Sequence, residues 1–249
     1  MRKPVMAGNW KMYKTAADTV VFLERFLPLV AGSTHCEIVI CPPFTNLVPA
    51  AQAVSGSRVA IGAQNIYGAK EGAFTGEVSA GMISGAGATY VIVGHSERRQ
   101  YFGETDEMVF KKTVAAIEGG LNPIVCVGER LEEREAGATG RVLEQQFQKG
   151  LGNLAPELFA KIVIAYEPVW AIGTGKTATP DIAAAAHQLI RGEAEKRFGA
   201  ELAGSVRILY GGSVKPDNIK DLMSQREIDG ALVGGASLDA ATFASIVNF

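Results

Sequence analysis

The sequence predicts an α/β protein, a closed (β/α)8 barrel that forms a single domain over residues 1–249. Short apolar runs alternate with amphipathic segments along the whole chain, with no linker and no low-complexity stretch. The runs are continuous rather than alternating, which is typical of parallel strands buried on both faces. A doubly wound open sheet would also alternate strand and helix. Eight repeats in a chain this short, with Gly and polar residues after nearly every run, favour a closed barrel.

Eight apolar runs are the predicted strands. They cover residues 5–8, 37–41, 59–63, 90–94, 123–127, 161–166, 206–210 and 231–233. The segments between them carry helix signals, such as Thr179-Pro180-Asp181, where a hydroxyl N-cap precedes proline at the first helical position. Barrel enzymes carry their chemistry at the C-terminal ends of the strands, so functional side chains are expected directly after these runs.

Composition and charge exclude several classes of protein. The net charge of −2 gives no reason to expect a nucleic-acid partner or an anionic membrane surface. No apolar run approaches the roughly 18 residues of a membrane span, and the first residues lack a signal-peptide pattern. Cys36, Cys41 and Cys126 form neither a C-x-x-C pair nor a ligand cluster. We therefore expect a cytoplasmic protein.

Polar residues follow the first and fourth runs. In Gly8-Asn9-Trp10-Lys11, the lysine is either a solvated loop charge or a fixed cation beside an anionic ligand. In Gly94-His95-Ser96-Glu97-Arg98-Arg99, His95 directly follows a buried strand, which favours a functional role. Arg98 and Arg99 are expected to form surface salt bridges. The two other histidines, His35 in a polar turn and His187 in an Ala-rich helix, are assigned no role.

A carboxylate and a lid pattern follow the sixth run. Glu167 ends the strand, and Pro168 restricts its backbone to extended geometry. An apolar patch over residues 169–172 and then glycines indicate a loop that closes over a site. Gly175-Lys176-Thr177 resembles the end of a P-loop, and Gly173-x-Gly175-x-x-Ala178 matches a dinucleotide fingerprint. The first lacks its leading glycine and the second does not directly follow its strand, so neither predicts a nucleotide site.

Glycine pairs follow the last two runs, in Gly211-Gly212-Ser213-Val214 and Gly234-Gly235-Ala236-Ser237. Either pair alone could be an ordinary tight turn. Together they follow strands seven and eight of a predicted α/β barrel, where backbone N–H groups commonly bind phosphate. Glycine suits this role because the backbone itself must approach the phosphate oxygens.

These motifs, in this order, resemble the triosephosphate isomerase family over essentially the whole chain. The matching strings are Ala7-Gly8-Asn9-Trp10-Lys11-Met12, Gly94-His95-Ser96-Glu97-Arg98-Arg99, Ala165-Tyr166-Glu167-Pro168-Val169-Trp170-Ala171-Ile172-Gly173-Thr174-Gly175-Lys176-Thr177, Tyr210-Gly211-Gly212-Ser213-Val214 and Leu232-Val233-Gly234-Gly235-Ala236. The resemblance implies a TIM barrel that interconverts dihydroxyacetone phosphate and D-glyceraldehyde 3-phosphate through an enediolate, in glycolysis and gluconeogenesis. It implies no metal or organic cofactor.

The resemblance also implies roles for individual residues. Glu167 would be the base, His95 a neutral imidazole that polarises the carbonyl, and Lys11 the cation that stabilises the enediolate. Asn9 and Lys11 would bind and orient the substrate. The implied phosphate ligands are Gly173, Ser213, Gly234 and Gly235.

The loop Gly72-Ala73-Phe74-Thr75-Gly76-Glu77 predicts how the chain assembles. By itself it is equally consistent with a packed surface turn. In the family this loop reaches into a pocket on a second subunit and lies near its catalytic residues. A two-fold dimer is also the commonest closed arrangement. We therefore expect a homodimer.

Two alternative hypotheses about the function remain. One is another phosphate-binding barrel enzyme, such as an aldolase or an epimerase. A Schiff-base aldolase needs a lysine at a later strand end, whereas Lys11 follows the first strand and Lys161 begins the sixth. The other is a non-catalytic phosphosugar-binding barrel. Loss of Glu167 or His95 would mark that class, and both residues are present.

Overall fold

A computed structural model of the chain describes residues 2–172 and 177–249. Within these residues, eight parallel strands pair in chain order and close into a barrel, because β1 pairs with both β2 and β8. The strands are β1 Val5–Asn9, β2 Glu37–Cys41, β3 Val59–Ala63, β4 Tyr90–Val93, β5 Asn122–Val127, β6 Val163–Tyr166, β7 Arg207–Tyr210 and β8 Gly230–Val233. The predicted fold class is confirmed, and each strand lies within two residues of its predicted bounds.

Two of the differences from the predicted bounds have local causes. β4 ends at Val93 rather than Gly94, because Gly94 adopts a left-handed conformation (φ 72°) and turns the chain into the following helix. β6 begins at Val163, whereas Lys161 is exposed in the turn before it.

Helices follow the strands and cover the outside of the barrel. They are α1 Ala16–Val30, α2 Leu47–Ala53, α3 Ala80–Gly85, α4 Ser96–Phe102, α5 Asp106–Glu118, α6 Leu131–Glu135, α7 Thr139–Gly150, α8 Pro156–Phe159, α9 Pro180–Phe198, α10 Ala200–Ser205, α11 Ile219–Met223 and α12 Ala240–Val247. The predicted cap of α9 is confirmed: Thr179 Oγ1 accepts a hydrogen bond from the Ile182 N–H, and Pro180 begins the helix.

The strands are buried on both faces, which explains why their apolar runs are continuous. In β1, Val5 and Ala7 belong to the apolar cluster inside the barrel, whereas Met6 belongs to the cluster between barrel and helices. The barrel is therefore a packed core, and a site can form only at its ends. Among the helices of the described residues, none is long and apolar enough to cross a membrane.

His187 is fully buried on α9. Its Nδ1 lies 3.1 Å from the carbonyl oxygen of Glu227, and its ring meets the Tyr166 ring edge-on with the centroids 5.7 Å apart. Burial lowers the pKa of His187 to about 3, against a smaller upward effect of the Glu227 carbonyl. The residue is therefore a neutral histidine of the core, and the sequence analysis assigned it no functional role.

We predict that His187→Gln reduces the acid sensitivity of the fold. In the unfolded chain the imidazole binds a proton below its ordinary pKa of 6.5, whereas the folded protein resists protonation down to about pH 3. Stability from this group is therefore complete above pH 6.5 and is lost as the pH falls, by about 1.4 kcal/mol per pH unit. Urea unfolding at pH 7, 6 and 5 measures this slope.

The matched control is His35→Gln, which alters an exposed histidine. The unaltered chain and the His35 variant should lose stability with similar slopes, and the His187 variant should lose less. Identical slopes in all three proteins would contradict the assignment of His187 as a residue buried in its neutral form.

Candidate active site

A cavity of about 290 Å³ opens at the C-terminal ends of the strands. It brings together residues that are far apart in the chain. The sequence-predicted residues that line it are Asn9, Lys11, His95, Glu167, Ser213, Gly234 and Gly235. The remaining predicted ligand, Gly173, lies outside the described residues, as does most of the glycine part of the predicted lid.

Glu167 directly follows β6 and is 2% exposed. Its Oε2 accepts a hydrogen bond from the Ser96 N–H (2.9 Å), and its Oε1 lies 2.9 Å from His95 Nε2. The Ser96 hydroxyl donates a longer bond of 3.3 Å to Oε1. Burial alone would raise the pKa of Glu167, but His95 and the Ser96 N–H together lower it below its ordinary value. The carboxylate is thus held ionised inside the protein.

His95 is the N-cap of α4, and its ring is almost fully buried. Its Nδ1 accepts a hydrogen bond from the Glu97 N–H (3.3 Å), so the single ring proton lies on Nε2 and is donated to Glu167. Burial lowers the pKa of His95, whereas the adjacent Glu167 carboxylate raises it, with a net upward shift while the two are in contact. A second proton would have to displace the Glu97 N–H from Nδ1. The Glu97 N–H at Nδ1 thus favours a neutral imidazole with its proton on Nε2, whereas the contact with Glu167 favours the protonated form.

Lys11 adopts a left-handed backbone conformation, with φ 52°. Such a conformation is uncommon for a residue with a side chain and persists only where neighbours enforce it. Asn9 Oδ1 accepts from the Lys11 N–H (3.0 Å), and Gln64 Nε2 donates to the Lys11 carbonyl (2.8 Å). The Lys11 ammonium lies 2.6 Å from Glu97 Oε1. The backbone after β1 thus aims one cation into the cavity.

The two glycine loops form a further part of the cavity wall. A Cβ on Gly212 would lie 2.3 Å from the Tyr210 hydroxyl oxygen, so only glycine fits there. Gly235 begins a 3₁₀ turn, and a Cβ there would meet no atom within 4 Å, so the cavity extends up to the backbone itself. Ser237 fixes this turn, because its hydroxyl donates to the Gly234 carbonyl (2.7 Å). Backbone that can be approached this closely suits a phosphate group.

Arg98 and Arg99 form ion pairs, as predicted, but their partners are more buried than a surface pair implies. Arg98 Nε lies 2.8 Å from Oε2 of the buried Glu104, and Arg99 Nη1 lies 2.6 Å from Asp106 Oδ1.

Sequence reasoning did not assign roles to Ser96 or Gln64. Ser96 could have been found from its place at the start of a helix directly after His95. Gln64 gives no local signal, because its partners lie in other strand ends.

Within residues 2–172 and 177–249, no three His, Cys, Asp or Glu side chains are placed to hold a metal ion. The cavity instead offers an ionised carboxylate, an imidazole N–H and an ammonium group around one space. A carboxylate can remove a proton from a carbon beside a carbonyl only where the developing oxyanion meets preorganised donors. The imidazole and the ammonium can supply them. The arrangement suits proton transfer on a small phosphorylated carbonyl compound.

Comparisons of the chain with known proteins agree with one another. The family model described as "Triosephosphate isomerase" matches residues 4–249. A triosephosphate isomerase of Solibacter usitatus is 68% identical, with 100% of both chains covered. One of Citrifermentans bemidjiense is 57% identical, covering 100% of this chain and 99% of the relative. The crystal structure of triosephosphate isomerase from Bartonella henselae superposes with a TM-score of 0.89 at 40% identity, covering 99% of this chain and 98% of that one.

Proposed function

The chain belongs to the triosephosphate isomerase family and is an isomerase that interconverts dihydroxyacetone phosphate and D-glyceraldehyde 3-phosphate, and we propose that Glu167, His95 and Lys11 carry out this reaction. The observation that carries the assignment of roles is the 2.9 Å contact between the Glu167 carboxylate and His95 Nε2 beside the two glycine loops. The same reaction serves glycolysis and gluconeogenesis.

The proposed reaction begins with substrate held by its phosphate against Ser213, Gly234 and Gly235, with Gly173 as a further ligand. Asn9 and Lys11 orient the carbonyl end. Glu167 gives up its contacts with Ser96 and His95 and removes the proton from the carbon beside the substrate carbonyl. Binding energy from the phosphate, which does not react, is available to stabilise this arrangement.

The second part of the reaction moves protons between the two oxygens. The Nε2 proton of His95 passes to the carbonyl oxygen as negative charge develops there, and His95 then takes up the proton of the neighbouring hydroxyl oxygen. The Lys11 ammonium stabilises the enediolate between these transfers. Glu167 then returns its proton to the neighbouring carbon. Each step uses a group already present in the cavity, so we propose that no cofactor takes part.

A coupled assay of glyceraldehyde 3-phosphate turnover, with unphosphorylated glyceraldehyde as the comparison, tests this function. Rapid turnover of the phosphorylated substrate and at least a thousandfold slower turnover of glyceraldehyde are expected, because the phosphate supplies remote binding energy. The non-catalytic phosphosugar-binding barrel would bind substrate without turnover. The full-length family match does not favour that alternative or another barrel enzyme.

We also propose that the protein is a homodimer through the Gly72–Glu77 loop. The loops after β1 to β4 are adjacent around the barrel, and they expose large apolar side chains, Met12 most of all at 92%. Other exposed apolar side chains in this region include Tyr13, Phe44, Phe74, Met82, Tyr101 and Phe102. A patch of this kind marks an interaction surface. A second copy would cover it and would support the adjacent Lys11 and His95.

We propose that the chain is a single domain, since the family model spans residues 4–249. We propose a cytoplasmic location, which the glycolytic reaction of the relatives supports. The three cysteines are free and buried, as suits a reducing compartment.

We predict that Glu167→Asp lowers kcat on the order of a hundredfold while KM changes little. Shortening the side chain by one methylene retracts the carboxylate by about 1 Å, and such a misplacement can have this effect. Steady-state kinetics in both directions provide the measurement. Glu157→Asp, an exposed change on α8, is the matched control. An unimpaired Glu167→Asp variant would rule out Glu167 as the base.

We predict that Thr75→Arg dissociates the dimer and lowers activity with it. Thr75 is exposed in the single chain, and a second copy would bury the new charge without a partner, which is strongly unfavourable. Light scattering and the turnover assay, performed at equal protein concentrations, measure both effects. Thr34→Arg places the same charge at the opposite end of the barrel and should change neither. A Thr75→Arg monomer with full activity would refute the proposed support across the interface.

A further inference from the structure

The end of β5 lacks a strand partner on one side. The β4–β5 ladder stops at the pair Val93 and Val125, because Gly94 turns the chain away into α4. The backbone groups of residues 126–128 that face β4 must therefore find other partners, since unpaired buried peptide groups are strongly destabilising.

Two side chains supply those partners. Arg99 Nη2 donates to the Cys126 carbonyl (3.1 Å), and its Nε donates to the Gly94 carbonyl (2.8 Å). The Gln146 carboxamide contacts both groups of one residue: Oε1 accepts from the Gly128 N–H (2.8 Å), and Nε2 donates to the Gly128 carbonyl (3.1 Å). A carboxamide has the same donor and acceptor as a peptide. Gln146 thus replaces the missing strand.

The other edge of the same segment holds the backbone of Glu167. The Glu167 N–H donates to the Val127 carbonyl (2.8 Å), and the Val169 N–H donates to the Glu129 carbonyl (3.1 Å). These bonds continue the β5–β6 ladder on both sides of the carboxylate-bearing residue. A Cβ on Gly128 would lie 1.7 Å from the Glu167 carbonyl oxygen, so the two backbones pack in direct contact. A displacement of residues 127–129 must therefore displace Glu167.

Gln146 is itself rigidly placed. It lies on α7 between Leu143 and Phe147, which are buried in the core around the barrel. Its side chain lines a second cavity, of about 310 Å³, whose wall also includes Ser96, Cys126 and Glu167. Because of this open space, the edge of the β5 end that faces β4 depends on the side-chain contacts of Arg99 and Gln146 to stay in place.

We propose that Gln146 is a positioning residue for the base: by pairing the backbone N–H and the carbonyl of Gly128, it fixes the segment that holds Glu167 in register with the substrate. This inference rests on the proposed role of Glu167 as the base. Gln146 is separated from the substrate cavity by Glu167 and Gly128, so it acts through the backbone and not by contact with substrate.

The test is Gln146→Met, which keeps the length and helix preference of the side chain and removes both hydrogen bonds. We expect kcat to fall between tenfold and a hundredfold, because small displacements of a base have effects of this size. KM should change less than about twofold, because most of the proposed phosphate ligands follow β7 and β8. The primary isotope effect with glyceraldehyde 3-phosphate deuterated at C2 should rise, since proton abstraction becomes more strongly rate-limiting.

Gln145→Met, an exposed change one residue away, is the matched control and should match the unaltered chain. Gln146→Glu keeps a polar side chain that can accept from the Gly128 N–H, and it should show a loss of kcat of the same kind even if the Met variant folds poorly. Circular dichroism and thermal unfolding identify the folded variants. An inactive unaltered chain would refute the proposed function, whereas an active chain whose Gln146 variants keep kcat and the isotope effect would refute this inference alone.

Discussion

A carboxylate kept ionised although it is buried is the constraint on which the rest of this structure depends. Glu167 is 2% exposed, and burial by itself raises the pKa of a carboxyl group. The Ser96 N–H and His95 Nε2, each 2.9 Å from a carboxylate oxygen, reverse that effect. Both groups lie at the start of α4, so the turn at Gly94 that begins this helix also determines the charge state of the base.

The barrel places these groups by ending its strands at different points. β4 stops early, which makes room for α4 and its N-terminal contacts with Glu167. β5 continues further and holds the Glu167 backbone from the other side. The unmatched end of β5 then needs Arg99 and Gln146 as partners. The same irregularity at the strand ends therefore creates the cavity, orients the base and requires support from outside the barrel.

Much of the fold could be predicted from sequence because its signals are local. Burial on both faces makes each strand a continuous apolar run, and Thr179 and Pro180 together indicate the N-terminal cap of α9. The positions of His95 and Glu167 after buried strands were visible too, although their roles came from family resemblance. Contacts set by register could not be predicted: the bonds from Gln146 to Gly128 and from Gln64 to Lys11 join residues in different elements. The left-handed conformation of Lys11 was hidden for the same reason, because lysine does not favour it.

Measuring the pKa of Glu167 in the substrate-free protein tests most directly whether these contacts keep the carboxylate ionised. It can be followed by NMR titration of the side-chain carboxyl carbon in ¹³C-labelled protein, with the Glu167→Gln variant identifying the resonance. We predict a pKa below the ordinary value of 4.5, because the Ser96 N–H and His95 outweigh burial. A pKa at or above 4.5 would show that burial dominates, and it would contradict the claim that these contacts hold the carboxylate ionised.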